Sequence, residues 1–272
     1  MDEVENQQVH RLIEAVLASA KYKNIDIHFI RYIGMQELPK HRNLKEAIKS
    51  TKNKLHQVGG AYQTSIPRYS AWLNELKFAK RAGSEQHFLE TCKLIMQNHS
   101  STRERFPILE QFYSTIFAHL PPVNSIIDIA CGLHPLGIPW MPLDDHVRYF
   151  AYDIYEDMID FLNESLTLMS VESAGEVRDV IQSCPMQKAD VAFILKAIPC
   201  LEQVDKLVGL RLLETLNADH LVVSFPAHSL SGKNKGMTTN YESKFYTQVR
   251  HMHWSIQRFE FPGELVFLVS KS

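Results

Sequence analysis

The stretch from Ser125 to Asp153, SIIDIACGLHPLGIPWMPLDDHVRYFAYD, constrains this chain more than any other. Ser125 to Ala130 is an apolar run that ends in small residues, the pattern of a buried strand emptying into a tight turn at Gly132. Tyr149 to Asp153 is a second short apolar strand, and it ends on a carboxylate. Two parallel strands joined by a crossover, with a small-residue turn after the first and an acid at the tip of the second, form a nucleoside-binding half of a doubly wound sheet. In such a half the acid accepts hydrogen bonds from a ribose diol and the turn lets a ligand approach the backbone.

The turn also narrows the choice of nucleoside. A dinucleotide site needs G-x-G-x-x-G opening directly into a helix, because the pyrophosphate rests on the helix N-terminus. Here the turn is Ala130-Cys131-Gly132-Leu133-His134, with one glycine, and Pro135, Pro139 and Pro142 prevent a long regular helix after it. That argues against NAD or FAD. S-adenosylmethionine (SAM) has no pyrophosphate, needs less bare backbone and suits a one-glycine turn flanked by small residues.

At 272 residues the chain is long enough for two domains. With 45% apolar and 22% charged residues it has the composition of a soluble globular protein. No apolar run reaches membrane length and the opening MDEVENQQVH is acidic and polar, so neither a spanning helix nor a secretory signal is expected and the expected compartment is the cytoplasm. Cys92, Cys131, Cys184 and Cys200 lie far apart with no C-x-x-C, which speaks against zinc or a disulfide framework and for buried thiols. The net charge of −2 conceals an asymmetry. Residues 1–119 carry 17 Lys and Arg against 12 Asp and Glu, whereas 120–272 carry 12 against 19. A basic first part on an acidic second part suggests that the first part meets a polyanion.

Val9, Leu12, Ile13, Val16 and Leu17 recur at helical spacing, and residues 25–38 repeat the pattern. A third helix is predicted from Arg42 to His56, where Arg42, Lys45, Lys49, Lys52 and His56 are spaced 3, 4, 3, 4 and stack in one basic stripe. Such a stripe is a solvated face on a lone helix and a phosphate-tracking ridge beside a polyanion. Gly59-Gly60 is expected to break this helix. Residues 69–97 read as helical with an interruption near Gly83-Ser84. A further helix follows the loop around His99, with Ser101 and Glu104 in capping-box spacing and Pro107 as a kink or first-turn residue. The first domain is therefore all helical, over 1–119. In the second, 120–272, the predicted elements are a crossover helix at Glu156 to Met169, a third strand at Glu176 to Val180 and a fourth at Asp190 to Leu195. After a helix at Leu207 to Leu216 come a fifth strand at His220 to Phe225 and a closing hairpin, His253 to Phe261 with Glu264 to Val269. This order fits an α/β fold, the class I (Rossmann-like) SAM methyltransferase with a seven-stranded sheet whose last strand is inserted antiparallel.

Four segments together resemble one family, the bacterial 16S rRNA (guanine-1405-N7) methyltransferases that confer aminoglycoside resistance. They are Lys54-Leu55-His56 with Gly60-Ala61-Tyr62; His99-Ser100-Ser101-Thr102 with Glu104-Arg105; Ile127 to Leu133 with Pro135-Leu136; and Val223-Ser224-Phe225-Pro226 through Ser229-Leu230-Ser231-Gly232-Lys233, Lys235-Gly236-Met237 and Asn240-Tyr241. The last is the most specific, since S-F-P followed by S-L-S-G-K-x-K-G-M-x-x-N-Y has no reason to arise from packing alone. The similarity runs through nearly the whole chain. His134 stands where the family usually has Asn, Lys244 where Trp is usual, and Pro107 is unusual in its helix.

The resemblance implies a SAM pocket built from Tyr62, His99, Ser100, Ser101, Arg105, Ala130, Gly132, Asp153, Asp179, Val180 and Leu195. In it Asp153 takes the ribose hydroxyls, Asp179 and the Val180 amide read adenine, and Arg105 offers a bidentate fork to the methionine carboxylate. Guanine N7 already presents its lone pair, so no general base is required and the task is alignment. Lys196 and Phe225 lie past the fourth and fifth strands, at the carboxyl edge where ligands bind, and are the candidates for holding a flipped guanine. Arg42, Lys45, Lys49, Lys52, His56, Lys233 and Lys235 are the candidate RNA contacts, no metal is expected, and the partner implied is 16S rRNA in the assembled 30S subunit, met by a monomer. Two other readings stay open: a SAM methyltransferase of a small molecule, and a catalytically inactive RNA-binding relative.

Overall fold

The computed structural model describes residues 3–63, 66–144, 146–227 and 237–271. The chain opens with helices α1 (Glu3–Leu17), α2 (Ile27–Glu37) and α3 (Leu44–Leu55). Each buries the apolar stripe its spacing sets: Val9, Leu12, Ile13 and Val16 on α1; Phe29, Ile30 and Ile33 on α2; Ala47 and Leu55 on α3. Side chains mark the starts of α2 and α3, where Asp26 accepts from the His28 amide at 3.1 Å and Asn43 from the Glu46 amide at 3.0 Å. Arg42 therefore lies just outside α3, ahead of its cap. At the other end Gly59-Gly60 does not break α3. The chain widens into a π-helical turn, His56–Gly60, closed by a bond from the Ala61 amide to the His56 carbonyl at 2.8 Å.

Next come α4 (Tyr69–Arg81), α5 (Glu85–Met96), α6 (Ser100–Arg105) and α7 (Leu109–Phe117). Pro107 sits in a 3-10 turn, Phe106–Ile108, and divides what the spacing predicts as one helix into α6 and α7, because proline has no amide to continue the ladder. The capping box does not form either. The Ser101 hydroxyl bonds His99 Nδ1 at 3.0 Å and Glu104 reaches Lys196 at 2.8 Å.

Strands β1 (Ser125–Ile129) and β2 (Arg148–Asp153) follow, then α8 (Glu156–Leu168), β3 (Glu172–Val177), β4 (Ala189–Leu195), α9 (Ile198–Leu201), α10 (Val208–Thr215), β5 (Ala218–Pro226), α11 (Met237–Val249), β6 (Ser255–Phe261) and β7 (Glu264–Ser270). The seven strands form one sheet in the order β3-β2-β1-β4-β5-β7-β6, with β1 to β5 parallel and β7 antiparallel to both of its neighbours. The central strands are buried and apolar along their length, as a sheet covered on both faces requires. The third strand lies earlier than the sequence predicts. It is an edge strand with alternating exposure, so its Glu172 and Glu176 hide the apolar run a reader looks for, and Asp179 and Val180 follow it instead of ending it.

A single apolar core runs through the molecule. Tyr69 of α4 stacks on Phe161 of α8 at 5.2 Å, and Phe112 and Phe117 of α7 meet Phe261 and Phe193. Helices α4 to α7 thus pack on the sheet layer, while α1 to α3 pack mainly on one another. The loop before α2 is stitched to the tip of β2: the Asp26 amide bonds the Ile154 carbonyl and the Glu156 amide bonds the Asn24 carbonyl, both at 2.9 Å. That stitch sets the turn after α3 over the carboxyl edge of the sheet. Cys92, Cys131 and Cys200 are buried thiols and Cys184 is partly so. No described helix is long and apolar enough to cross a membrane.

Candidate functional site

Strand order reverses between β1 and β4, and a cleft of about 740 Å³ opens there at the carboxyl ends of the strands. Ala130 after β1, Asp153 at the tip of β2, and Leu195 and Lys196 at the tip of β4 form its floor. Tyr62, His99 and Ser101 cover it from the helical part, and Asp179 and Val180 close its far side. Eight of the eleven candidate cofactor residues line this one cleft.

Asp153 is held by the backbone. Its Oδ2 accepts from the Gly132 amide at 3.0 Å and its Oδ1 from the Ile154 amide at 2.7 Å, which leaves further lone pairs on both oxygens for a diol. Burial pushes its carboxyl up to about 6 against the pull of those amides. Ala130 and Gly132 both take left-handed backbone, at φ 51° and 53°. Gly132 does not line the cleft itself. It is the floor under His99, whose ring would meet a Cβ at 2.7 Å. His99 is neutral, since burial and the nearby Arg105 cation lower its imidazole to about 4. Ser100 is likewise structural, its amide donating to the Tyr62 carbonyl at 2.8 Å and fixing the two cover segments to each other.

Asp179 faces the cleft with both carboxylate oxygens engaged, Oδ1 by the Ile181 amide at 2.9 Å and Oδ2 by Gln182 Nε2 at 2.6 Å. Three further lining residues are ones the sequence does not single out. Arg178 lies over the Tyr152 ring; Cys200 donates its thiol to the Tyr62 hydroxyl; and Tyr155 buries a hydroxyl that has no hydrogen-bond partner among the described residues. Only Arg178 carries a signal, its place beside Asp179.

Two expectations are corrected. The Arg105 fork does not face the cleft. It is fully buried, and its Nε and Nη2 bond Glu264 at 3.1 and 2.6 Å, so the bidentate geometry predicted for a ligand carboxylate is taken by a protein one. The Glu264 carboxyl is correspondingly held below the usual carboxylate range by Arg105 and Lys196, against the opposing effect of burial. Phe225 is a core ring and not a platform for a base. It is buried against Phe245 and Phe267, and Tyr241 stacks over it at 5.0 Å.

Tyr241 instead lines a second cleft, of about 1150 Å³, together with Met237, Pro226, Glu104 and His56. The two clefts share Tyr62, Ser101, Lys196 and Cys200. Lys196, also in left-handed backbone at φ 58°, is buried at the junction, its Nζ 2.8 Å from Glu104 and 3.5 Å from Glu264.

This architecture has known counterparts. The profile of the family described as "Ribosomal RNA methyltransferase (FmrO)" matches residues 18–268. The chain belongs to that family. It is 35% identical to a 16S rRNA (guanine(1405)-N(7))-methyltransferase of Micromonospora rosea, with 98% of each chain aligned, and 28% identical to one of Serratia marcescens, with 97% of this chain and 99% of that one aligned. Among solved structures, the 16S rRNA methyltransferase RmtF in complex with S-adenosyl-L-homocysteine superposes with a TM-score of 0.86 at 26% identity over the whole of both chains. The 16S rRNA methylase RmtB superposes at 0.78 with 25% identity, covering 97% of this chain and 98% of that one.

Family membership gives meaning to the departures noted above. His134 lies beneath the turn, buried, its Nδ1 2.7 Å from Asp128 Oδ2, an oxygen that also accepts from the Tyr149 hydroxyl at 2.7 Å. It braces the floor and does not touch the cleft. Lys244 pairs with Glu202. Gly132→Ala adds a Cβ against the His99 ring at a backbone angle that side chains avoid. Its expected cost is about 1–3 kcal/mol of stability, together with weaker S-adenosyl-L-homocysteine binding, readable by thermal denaturation and calorimetry.

Of the basic stripe, Arg42, Lys45, Lys49 and His56 are exposed. Lys52 is half-buried and donates to the Ser19 hydroxyl at 2.6 Å, while His56 Nδ1 lies 2.9 Å from Lys21 Nζ, which extends the charged face onto the preceding segment. Lys233 and Lys235 lie outside the described residues.

Proposed function

We propose that this protein transfers the methyl group of SAM to N7 of guanine 1405 in 16S rRNA within the assembled 30S subunit, and that this modification confers aminoglycoside resistance. The observation that carries the reading is the pair of clefts meeting at Lys196, the inner one built as a nucleoside site and the outer one opening beside the basic helix.

The residues present suit SAM. A carboxylate with spare lone pairs stands at the tip of β2, a buried tyrosine hydroxyl on the wall has no hydrogen-bond partner among the described residues, and the surrounding surface is largely apolar, as adenine requires. When bound, SAM supplies an electrophilic methyl group on a sulfonium. The protein's own work is then placement. Asp153 receives the ribose hydroxyls, and Asp179 stays fixed by Gln182 so that the neighbouring Val180 amide faces the adenine edge. Tyr62 and Ser101 roof the junction, His99 roofs the inner cleft beside it, and together they exclude water.

The target base enters the outer cleft. Tyr241, backed by Phe225, offers the stacking surface, and Lys196 holds the base edge. N7 attacks with a lone pair that carries no proton, so no side chain needs to remove one. His99, whose imidazole burial lowers to about 4, is too weak a base to be needed and serves as a wall. As the new N–C bond forms and the S–C bond breaks, positive charge passes from sulfur to the purine.

Docking falls to α3 and the segment around Lys21, whose exposed cations track phosphates of a folded RNA surface. We expect Lys45→Glu with Lys49→Glu to leave SAM binding unchanged and to weaken 30S binding about tenfold at low salt, with a shallower dependence on salt concentration. Filter binding across a salt series reads both. The protein acts in the cytoplasm as a monomer. The test of the reaction itself is to incubate subunits with SAM, digest the RNA and look for 7-methylguanosine. Its appearance on 30S subunits and not on deproteinised 16S rRNA is expected; equal labelling of both would remove the subunit from the reading.

A further inference from the structure

The outer cleft contains a charged pair whose arrangement matches one base edge. Lys196 Nζ and Glu104 lie 2.8 Å apart, a cationic donor beside an anionic acceptor. Glu104 keeps 38% of its side chain exposed and lines the outer cleft, while Lys196 lines both. The ammonium carries three protons. One is directed to Glu104 and another lies toward Glu264 at 3.5 Å, so the third is available to a ligand.

Guanine presents O6, an acceptor, next to N1–H, a donor. Side by side, Lys196 and Glu104 offer the complement of that pattern, the same order of donor and acceptor that cytosine uses in pairing. The order also fits the layout of the clefts. With O6 on Lys196 at the junction, N1–H points outward to Glu104, which does not line the inner cleft, and N7, on the other side of O6, points inward to the inner cleft. The geometry points to Glu104 as the residue that reads guanine in the outer cleft, in partnership with Lys196.

Adenine reverses both positions. Its N6 amino group would face the ammonium and its bare N1 would face the carboxylate, and each mismatch leaves a charge without its ligand hydrogen bond, the Lys196 one buried. The same pairing favours reaction. A purine methylated at N7 is cationic and its N1–H is more acidic, so the bond to Glu104 strengthens as the methyl group arrives and stabilises the transition state more than the ground state. The charges around the junction balance beforehand, Arg105 and Lys196 against Glu104 and Glu264. The developing cation therefore meets an acceptor already in place.

This inference rests on the guanine N7 reading, and the test separates the two. Single-turnover formation of 7-methylguanine on 30S subunits is measured for the unmodified protein, Glu104→Ala and Glu104→Gln, beside SAM binding by calorimetry and subunit binding by filter assay. For Glu104→Ala a fall in rate of about 100-fold is expected, the scale on which a transition state responds when one preorganised hydrogen-bonding group is removed. For Glu104→Gln, which keeps one acceptor, about tenfold is expected. SAM and subunit binding should change little in either.

A second arm uses subunits carrying 2-aminopurine at the target, which keeps N7 and lacks both O6 and N1–H. The unmodified protein should disfavour it strongly against guanine, and Glu104→Ala should close much of that gap, which a purely structural role would not do. An unchanged rate in Glu104→Ala overturns the inference. So does a loss of rate that merely follows a loss of SAM or subunit binding in both variants, or an unaltered preference for guanine. If the unmodified protein forms no 7-methylguanine at all, the reading beneath the inference fails, and that outcome is distinct from the others.

Discussion

Asp153→Ala is expected to weaken SAM binding by at least about 100-fold, because two ribose hydroxyls lose a charged acceptor and two backbone amides lose their partner. No other side chain described in the inner cleft offers a carboxylate at the tip of β2. The fold survives, since β2 keeps its register with β1 and β3 through backbone bonds. Calorimetry with SAM reads the loss, and circular dichroism the intact fold.

The same carboxyl sets a pH dependence. Its pKa of about 6 in the folded chain lies above the ordinary aspartate value of 3.8. The folded state thus binds a proton that the unfolded state releases, and ionisation lowers the stability of the cofactor-free protein as pH rises between these two values. Ligand hydroxyls favour the ionised form, so SAM affinity is expected to be flat above about pH 6 and to fall by up to about tenfold per unit below it. In calorimetry the low-pH titrations should also show proton release on binding. In the alanine variant both effects vanish.

Arg105→Ala is expected to produce the largest loss of stability of any substitution near the site. Both partners of the Arg105–Glu264 pair are 1% exposed, and Arg105 also lies 4.9 Å over the Phe112 ring. Removing the cation leaves a buried carboxylate with the more distant Lys196 and the Ser224 hydroxyl in its place. The cost is about 3–5 kcal/mol, which lowers Tm by roughly 10 °C in a chain of this length.

Glu264 sets the sign of the pH dependence. Its carboxyl is held below the usual range in the folded chain, so the pair contributes stability that is fully present above about pH 4.5 and is lost as pH falls through the lowered value. The difference between Arg105→Ala and the unmodified protein should therefore narrow toward pH 4. Arg105→Met with Glu264→Leu removes both charges and should recover much of the loss. Thermal melts at several pH values measure all of this, and a variant that melts with the unmodified protein at pH 7 would show the pair to be energetically idle.

What can be read from the chain and what cannot divides along physical lines. The strand, the one-glycine turn and Asp153 sit within 29 residues of one another, and burial of that short stretch leaves little freedom in how it folds. Strand alternation ending in a hairpin likewise marks a doubly wound sheet with an antiparallel last strand, and right-handed crossovers limit the ways it can be wound. Arg105 misleads because its partner, Glu264, lies 159 positions away and nothing local announces the pair. Phe225 stands at a strand end where a ligand-facing ring and a core ring look alike, and the burial that decides between them comes from α11. Glu104 has the spacing of a cap from Ser101, whereas α6 starts one residue earlier with His99 at its cap, so Ser101 lies inside the helix and the carboxylate is left to meet Lys196. Strand β3 is easily placed too late because edge strands mix charge into the pattern that marks buried ones.

At the centre of the proposed reaction, a methyl group bound through Asp153 reaches one guanine through the junction at Lys196. Borohydride and aniline cleavage of 16S rRNA, taken from 30S subunits of cells expressing the protein or its Asp153→Ala variant, addresses this most directly. One new break is predicted, at guanine 1405, present with the unmodified protein and absent with the variant. An intact strand in both, or a break at another position, would contradict it.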